Sequence, residues 1–138
     1  MRRMAGIRRG SRLEARRFDN LVQEALDALP PWVRERLRDV TVAVEDEPPP
    51  GEDPDLLGLY VGDSLLEETP YAAPPMVLIF QGPHERICRT RAELRREVAE
   101  TVLHEIAHRL GMEEREVEEL GPLRLPPHSR RATRRRRR

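Results

Sequence analysis

The segment from Thr90 to Gly111 carries the pattern that most restricts how this chain folds. Apolar side chains recur there at the spacing of one helix face: Leu94, Val98, Ala99, Val102, Leu103, Ile106, Ala107 and Leu110. Thr90 and Glu93 have the spacing of a capping box, and Gly111 stands where a left-handed residue ends a helix. We therefore predict a largely buried helix of about 20 residues, against which the other elements must pack.

Two histidines on this predicted helix, His104 and His108, are four residues apart. This spacing places both imidazoles on one face, about one turn apart. With Glu105 between them the sequence reads H-E-x-x-H, in which two histidines bind zinc and the glutamate acts as a base. The other two histidines, His84 and His128, lie in proline-flanked segments that we interpret as loops. The pair and Glu105 together predict a metal site.

Catalytic zinc usually has three protein ligands and a water, so a third ligand is expected. Gly111 should end the helix just after His108, which lets the following residues return towards the metal. The string from His104 reads H-E-x-x-H-x-x-G-x-x-E and makes Glu114 the first candidate. The acids that compete with it are Glu113, Glu116, Glu118 and Glu119.

Helices are also predicted on both sides of this segment. Apolar residues at helical spacing over 18–29 predict a first helix, which Pro30 and Pro31 end. Ser11 and Glu14 have capping-box spacing at its start. Short helices are expected over 32–37 and 113–120.

Three strands are predicted between these helices. Residues 40–44 alternate apolar and polar side chains, which is typical of a strand with one half-covered face. Residues 57–61 form a short strand beside two glycines, as edge strands often do. The unbroken apolar run over 76–80 predicts a strand buried on both faces, in the interior of the sheet. The proline-rich stretches 47–55 and 64–75 read as loops.

The 25 arginines and 25 acids balance to a net charge of zero but are unevenly distributed. Residues 1–17 sum to +6, residues 18–120 to −14 and residues 121–138 to +8. We therefore predict a basic N-terminal arm over 1–17 leading into the first helix, a folded domain over 18–121, and a disordered Arg-rich tail over 122–138.

Composition excludes several classes of protein. No apolar run approaches the roughly 20 residues that span a bilayer, so we expect no membrane association. The single Cys88 excludes a disulfide scaffold. The basic start lacks the apolar segment of a secretory signal, so we expect a cytoplasmic protein.

Over residues 18–121 the chain resembles the small bacterial zincin-like metallopeptidases. The resemblance rests on H-E-I-A-H-R-L-G-M-E-E at 104–114, E-E-L-G at 118–121, L-L-G-L-Y-V-G at 56–62 and M-V-L-I-F-Q-G-P at 76–83. It implies an α+β, minimal zincin-like fold: a small mixed sheet with an antiparallel edge strand, packed on a long active-site helix, plus an N-terminal helix. Family members commonly carry Asp where this chain has Glu114, and no Met-turn of the metzincin kind is evident.

These observations predict a zinc-dependent metallopeptidase. His104, His108 and Glu114 would bind Zn²⁺, and Glu105 would take a proton from the attacking water. Candidates for stabilising the oxyanion are Tyr60, Tyr71 and Arg109. A peptide or unfolded protein would add to the edge strand through main-chain hydrogen bonds. We expect a monomer.

Two other functions fit parts of the sequence. RNA-processing hydrolases of the YbeY type are similar in their His-x₃-His helix followed by Gly, but they lack Glu after the first His and usually have His as third ligand. Alternatively, the zinc site is non-catalytic and the Arg tail binds nucleic acid or acidic partners electrostatically. The acidic domain argues against an extended RNA channel.

Overall fold

The computed structural model describes residues 12–62 and 75–127, which form a three-stranded sheet and five helices. The helices are α1 (Arg12–Asp27), α2 (Pro31–Arg36), α3 (Gln81–Ile87), α4 (Arg91–Arg109) and α5 (Glu114–Leu120). The strands are β1 (Thr41–Glu45), β2 (Gly58–Val61) and β3 (Met76–Phe80). The predicted α+β class is confirmed.

Strand β3 lies at the centre of the sheet, in the order β1-β3-β2. It pairs in parallel with β1, Val42 opposite Val77, and antiparallel with β2, Gly58 opposite Ile79. The predictions of an interior strand at 76–80 and an antiparallel edge strand at 57–61 are therefore confirmed. Val77 and Ile79 are fully buried on one face of β3, whereas Leu78 on the other face is half-buried.

The core forms where α4 packs against the sheet and α1 packs against α4. Apolar side chains from both helices and from β1 and β3 meet there: Phe18, Val22, Ala25, Val44, Val77, Ile79, Val98, Val102 and Ile106. Each Phe, Val or Ile side chain among them, once buried, contributes roughly 1.5–3 kcal/mol. The helix periodicity of the sequence therefore identified the core face of both long helices.

Both predicted ends of α4 are present. The Thr90 hydroxyl accepts the Glu93 backbone N–H at 3.1 Å, which caps the first turn. At the other end Gly111 has φ +70°, its N–H bonds to the His108 carbonyl, and the Met112 N–H bonds to the Ala107 carbonyl. These two bonds form a Schellman motif, which reverses the chain direction directly after His108.

The segment after α5 corrects one prediction. The sequence predicts a disordered tail from residue 122 onwards, yet Leu123 and Leu125 are half-buried against the core. Arg95 of α4 pairs with Glu24 of α1 at 2.6 Å and also donates to the Pro126 carbonyl. The alternation of Leu with Pro and Arg has no helical or long strand pattern, so the sequence does not reveal this packing. Residues 128–138 lie outside the described part of the chain.

Helix α3 corrects a second prediction, since the sequence pattern around His84 indicates a loop. Gly82 and Pro83 suggest a break, but both lie in the first turn, where a proline needs no hydrogen-bond donor. The Gly82 N–H donates to the Asp46 carbonyl at 2.8 Å, and Arg86 makes two 3.0 Å bonds to the Glu47 carboxylate. These contacts attach the loop after β1 to α3.

Two further predictions concern residues that the structure does not describe. One is the capping role of Ser11, although α1 begins at Arg12, directly after it. The other is the predicted loop 64–75, of which residues 64–74 lie outside the described ranges. Within 12–62 and 75–127, no helix combines the length and apolarity needed to cross a bilayer.

Gly111→Ala should lower the free energy of unfolding by about 1 kcal/mol, because an L side chain is strained at the left-handed φ that the Schellman motif requires. Urea denaturation measures the change. Glu100→Ala, at an exposed position within α4, is the control and should change stability by less than about 0.5 kcal/mol. Equal stability of Gly111→Ala and the unsubstituted protein would contradict the motif.

Candidate active site

Helix α4 presents three faces, and the candidate site lies where two of them meet. Core-facing positions include Val98, Val102 and Ile106. The next stripe contains Thr101, Glu105 and Arg109, which contact β2. His104 and His108 are exposed on the flank beyond that stripe. Because successive helix residues are rotated by about 100°, the two imidazoles lie on the outer side of β2, away from the core.

Strand β2 lies directly against α4 because Gly58 has no side chain. A Cβ at this position would lie 2.9 Å from Cγ of Glu105 and 2.9 Å from Cγ2 of Thr101. Two residues further, Tyr60 faces the same side of β2, and the Arg109 guanidinium lies 5.5 Å from its ring centroid. The strand therefore follows one stripe of α4 and covers Glu105.

Glu105 is a half-buried carboxylate between two exposed histidines. Burial raises its pKa above the ordinary value, while charge on the imidazoles of His108 and His104 opposes that shift. A carboxylate whose pKa is raised towards neutrality is a stronger base than an exposed one.

Among residues 12–62 and 75–127, no strand pairs with the outer edge of β2 beside this group. The Phe80 N–H donates to the Leu57 carbonyl, so Leu57, Leu59 and Val61 occupy the hydrogen-bonded positions opposite β3. The backbone N–H and C=O groups of Gly58 and Tyr60 consequently point away from β3. They form a short edge to which an extended chain could add.

The reversal at Gly111 leads into α5, whose first residues include the predicted third ligand. Glu113 is the N-cap residue of α5 and shares a capping box with Glu116, the Glu113 N–H donating to the Glu116 carboxylate at 3.0 Å. Glu114, the first residue of the helix, is exposed, as are Glu118 and Glu119. Among the residues that the structure describes, no three His, Cys, Asp or Glu side chains are grouped so that they could hold a metal ion. His104 and His108 are thus on one face, and Glu114 is not brought to them.

Comparison with known protein families shows to which family the chain belongs. A model of zincin-like metallopeptidases matches residues 37–122, more than half of the chain. The chain belongs to the zincin-like metallopeptidase family. The match includes the whole of the sheet together with α4, α5 and the H-E-x-x-H residues. At the level of the family, this is a metal-dependent hydrolase.

A solved structure supports the fold. A conserved hypothetical protein from Thermus thermophilus is similar to this zincin-like chain with a TM-score of 0.54 and 24% identity. The similarity covers 70% of this chain and 94% of the other. A comparison with curated proteins found no match.

Membership of a zincin-like family implies zinc, and the histidine pair fits such an ion. Nδ1 of His104 lies 3.3 Å from the Glu100 carbonyl oxygen. Because a carbonyl only accepts, Nδ1 carries the proton and Nε2 keeps the lone pair that a metal requires. Zinc-bound histidines usually have such a partner on the second ring nitrogen. The donor set is therefore suited to zinc at two positions.

His84, which the sequence placed in a loop, is fully buried in α3. Its Nδ1 lies 2.7 Å from the Phe80 carbonyl oxygen and its Nε2 lies 2.9 Å from Oγ1 of Thr101. Burial lowers the pKa of His84, against hydrogen bonds to the Phe80 and Glu97 carbonyls. Nδ1–H donates to Phe80, because a carbonyl only accepts, and Nε2 lies against the Thr101 hydroxyl.

Two of the other sequence candidates, His128 and Tyr71, lie outside the described residues. The sequence did not predict the buried position of His84 in α3. Gly82 and Pro83, which usually interrupt helices, conceal the helix that carries it.

Acidification should destabilise the protein partly through His84. Its folded-state pKa is below its unfolded value of about 6.5, so the unfolded chain binds the proton first and stability falls as pH drops below that value. Between pH 7.5 and 5.5 the urea midpoint of the metal-free protein should fall more than that of His84→Gln. Both proteins keep the other titrating groups, so equal pH dependence would show that His84 is not buried in its neutral form.

Proposed function

We propose that this chain is a zinc-dependent metallopeptidase in which Glu105 is the general base. The observation that carries the proposal is the position of Glu105, half-buried beneath β2 with a raised pKa and flanked by two exposed histidines. Such a carboxylate is suited to take a proton from an attacking water and to return it to the leaving amine.

His104 and His108 would hold the zinc, and Glu114 is the proposed third ligand. Glu113 and Glu116 already bond the backbone at the start of α5, whereas Glu114 takes no part in that capping box. When bound, zinc would polarise the scissile carbonyl and lower the pKa of a coordinated water. Arg109 is favoured over Tyr60 as an additional donor near the oxyanion, because the Tyr60 ring packs against the core.

The substrate we propose is a peptide or an unfolded protein segment. The outward N–H and C=O groups of Gly58 and Tyr60 would bond to an extended main chain lying beside the histidines. Main-chain bonds of this kind select an extended conformation rather than a particular sequence. Folded substrates would be excluded, since their backbone groups are already paired.

An RNA-processing hydrolase of the YbeY type is the competing function. This chain differs from that type in having Glu105 after the first histidine and a carboxylate as candidate third ligand. Parallel assays of zinc-dependent cleavage of unfolded casein and of structured RNA distinguish the two. Weak nucleic-acid contact by the Arg-rich tail and a cytoplasmic, monomeric state stay predictions.

Glu105→Gln should keep zinc and lower peptide cleavage by about 100-fold or more, because it removes the proton acceptor without removing a ligand. Zinc content is read by mass spectrometry and turnover with a fluorogenic peptide. Glu100→Gln, an exposed carboxylate one turn before the motif, is the matched control and should keep both. His104→Ala and Glu114→Ala should each lose bound zinc, whereas Glu118→Ala should not. Normal turnover by Glu105→Gln would refute the mechanism.

Backbone methylation of the substrate should test recognition by β2. In a strand added to β2, every second residue turns its backbone N–H towards β2, and the residues between turn theirs away. Methylation of the N–H groups that face β2 should weaken peptide binding by about tenfold or more, because each loses a hydrogen bond. Methylation of the N–H groups that face away should leave binding unchanged. Two peptides of one sequence, methylated at odd or at even positions, are compared by competition. Equal effects of the two peptides would exclude strand addition.

A further inference from the structure

The fully buried His84 has no part in the proposed chemistry, yet it is connected to the element that carries it. Its Nδ1–H donates to the Phe80 carbonyl at 2.7 Å, at the junction of β3 and α3. The Phe18 ring of α1 packs against the imidazole, with ring centroids 5.6 Å apart. Because the ring is fixed on both sides, its Nε2 has a fixed position 2.9 Å from Oγ1 of Thr101, to which it is hydrogen-bonded.

Thr101 connects His84 to the side of α4 that faces β2. Its Oγ1 lies 2.9 Å from Nε2 of His84, and its Cγ2 is the atom that a Cβ at residue 58 would meet at 2.9 Å. One torsion angle determines where both atoms point. The hydrogen bond to His84 therefore turns the Thr101 methyl group towards β2.

Gly58 completes the contact from the strand side. A Cβ there would meet Thr101 and the Glu105 Cγ equally closely, and the Leu78 carbonyl oxygen at 3.2 Å. Since neither the strand nor the carbonyl can yield easily, an added methyl group would displace the Glu105 side chain. The space available to Glu105 is thus set by the Thr101 methyl group on one side and by the bare backbone of β2 above.

We propose that His84, Thr101 and Gly58 are positioning residues that hold the Glu105 carboxylate in place beneath β2. His84 orients Thr101, Thr101 sets the depth at which β2 lies, and Gly58 leaves room for Glu105. His84 and Thr101 do not touch substrate, and Gly58 would do so only through its backbone N–H and C=O groups, which Gly58→Ala keeps. The inference rests on the proposed function only in so far as Glu105 acts in turnover; its placement is a separate, measurable property.

The test uses Gly58→Ala and a second substitution that returns the lost space. Thr101→Ser removes one of the two side-chain atoms that the new methyl group would meet at 2.9 Å and keeps the hydroxyl for His84. The methyl group can then move towards residue 101 and away from Glu105. In the metal-free protein, the NMR signal of the Glu105 carboxyl carbon should move in Gly58→Ala and return towards its original position in Gly58→Ala with Thr101→Ser. Gly58→Ala with Thr90→Ser is the matched control, because Ser caps a helix as well as Thr and frees no space. It should behave like Gly58→Ala alone.

Turnover gives the functional readout. With zinc content unchanged, Gly58→Ala should lower kcat by about tenfold to a hundredfold with little change in KM, and Thr101→Ser should restore most of the loss. An unmoved Glu105 signal in Gly58→Ala, or equal restoration by Thr90→Ser, overturns the proposal. If the unsubstituted protein cleaves no peptide, the proposed function fails and the NMR comparison still decides the positioning.

Failure of Gly58→Ala to fold does not prevent the test. Thr101→Ser alone opens the space beside Glu105 without adding an atom, and should shift the Glu105 signal, whereas Thr90→Ser should not. A Glu105 signal that is the same in Thr101→Ser and in the unsubstituted protein overturns the proposal.

Discussion

Burial of one face of α4 is the interaction on which the site depends. Val98, Val102 and Ile106 enter the core between α1 and β3, and each contributes roughly 1.5–3 kcal/mol of stability. This fixes the rotation of the helix about its own axis. The adjacent stripe of α4, which has Glu105 at its centre, then has to face β2. The histidine pair has to lie on the exposed flank beyond that stripe. The positions of three chemically active side chains therefore follow from apolar side chains that take no part in the chemistry.

Glu105 is held between opposing electrostatic influences. Contact with β2 removes water from the carboxylate and raises its pKa, whereas the neighbouring imidazoles favour the charged form. His108 and Arg109 lie in the last turn of α4, where the helix dipole stabilises positive charge and disfavours a carboxylate. The carboxylate is thus less stable as an anion than it would be in water, and charge on the neighbouring imidazoles offsets only part of that cost. That combination suits a group that must accept a proton and release it within one reaction.

The sequence predicted those parts of the molecule whose burial leaves a simple pattern of apolar residues. The long helix was predicted from the spacing that burial on one face imposes, and its ends from the residue types at Thr90 and Gly111. The central position of 76–80 was predicted from an unbroken apolar run, because a strand covered on both faces has apolar side chains on each. The H-E-x-x-H residues were predicted from their spacing along the helix. Helix α3 was missed because Gly82 and Pro83 are unfavourable in a helix interior but acceptable in its first turn. The packing of Leu123 and Leu125 was missed because two side chains are too few to form a period. The contact of Gly58 with Glu105 could not be predicted at all, since it joins residues 47 positions apart.

The third ligand is the part of the site where local stability and function make different demands on the same residues. Acidic side chains at the start of α5 are stabilising for a reason unrelated to metal, because a helix N-terminus favours negative charge. Glu113 and Glu116 satisfy that preference through their mutual cap. A carboxylate engaged in this way would have to give up its backbone bonds before it could bind an ion. Glu114 is in the same turn but outside the cap, and it follows the reversal that Gly111 makes directly after His108. Unlike Glu113 and Glu116, Glu114 would give up no capping bond in order to bind an ion, which favours it over those two neighbours as a ligand.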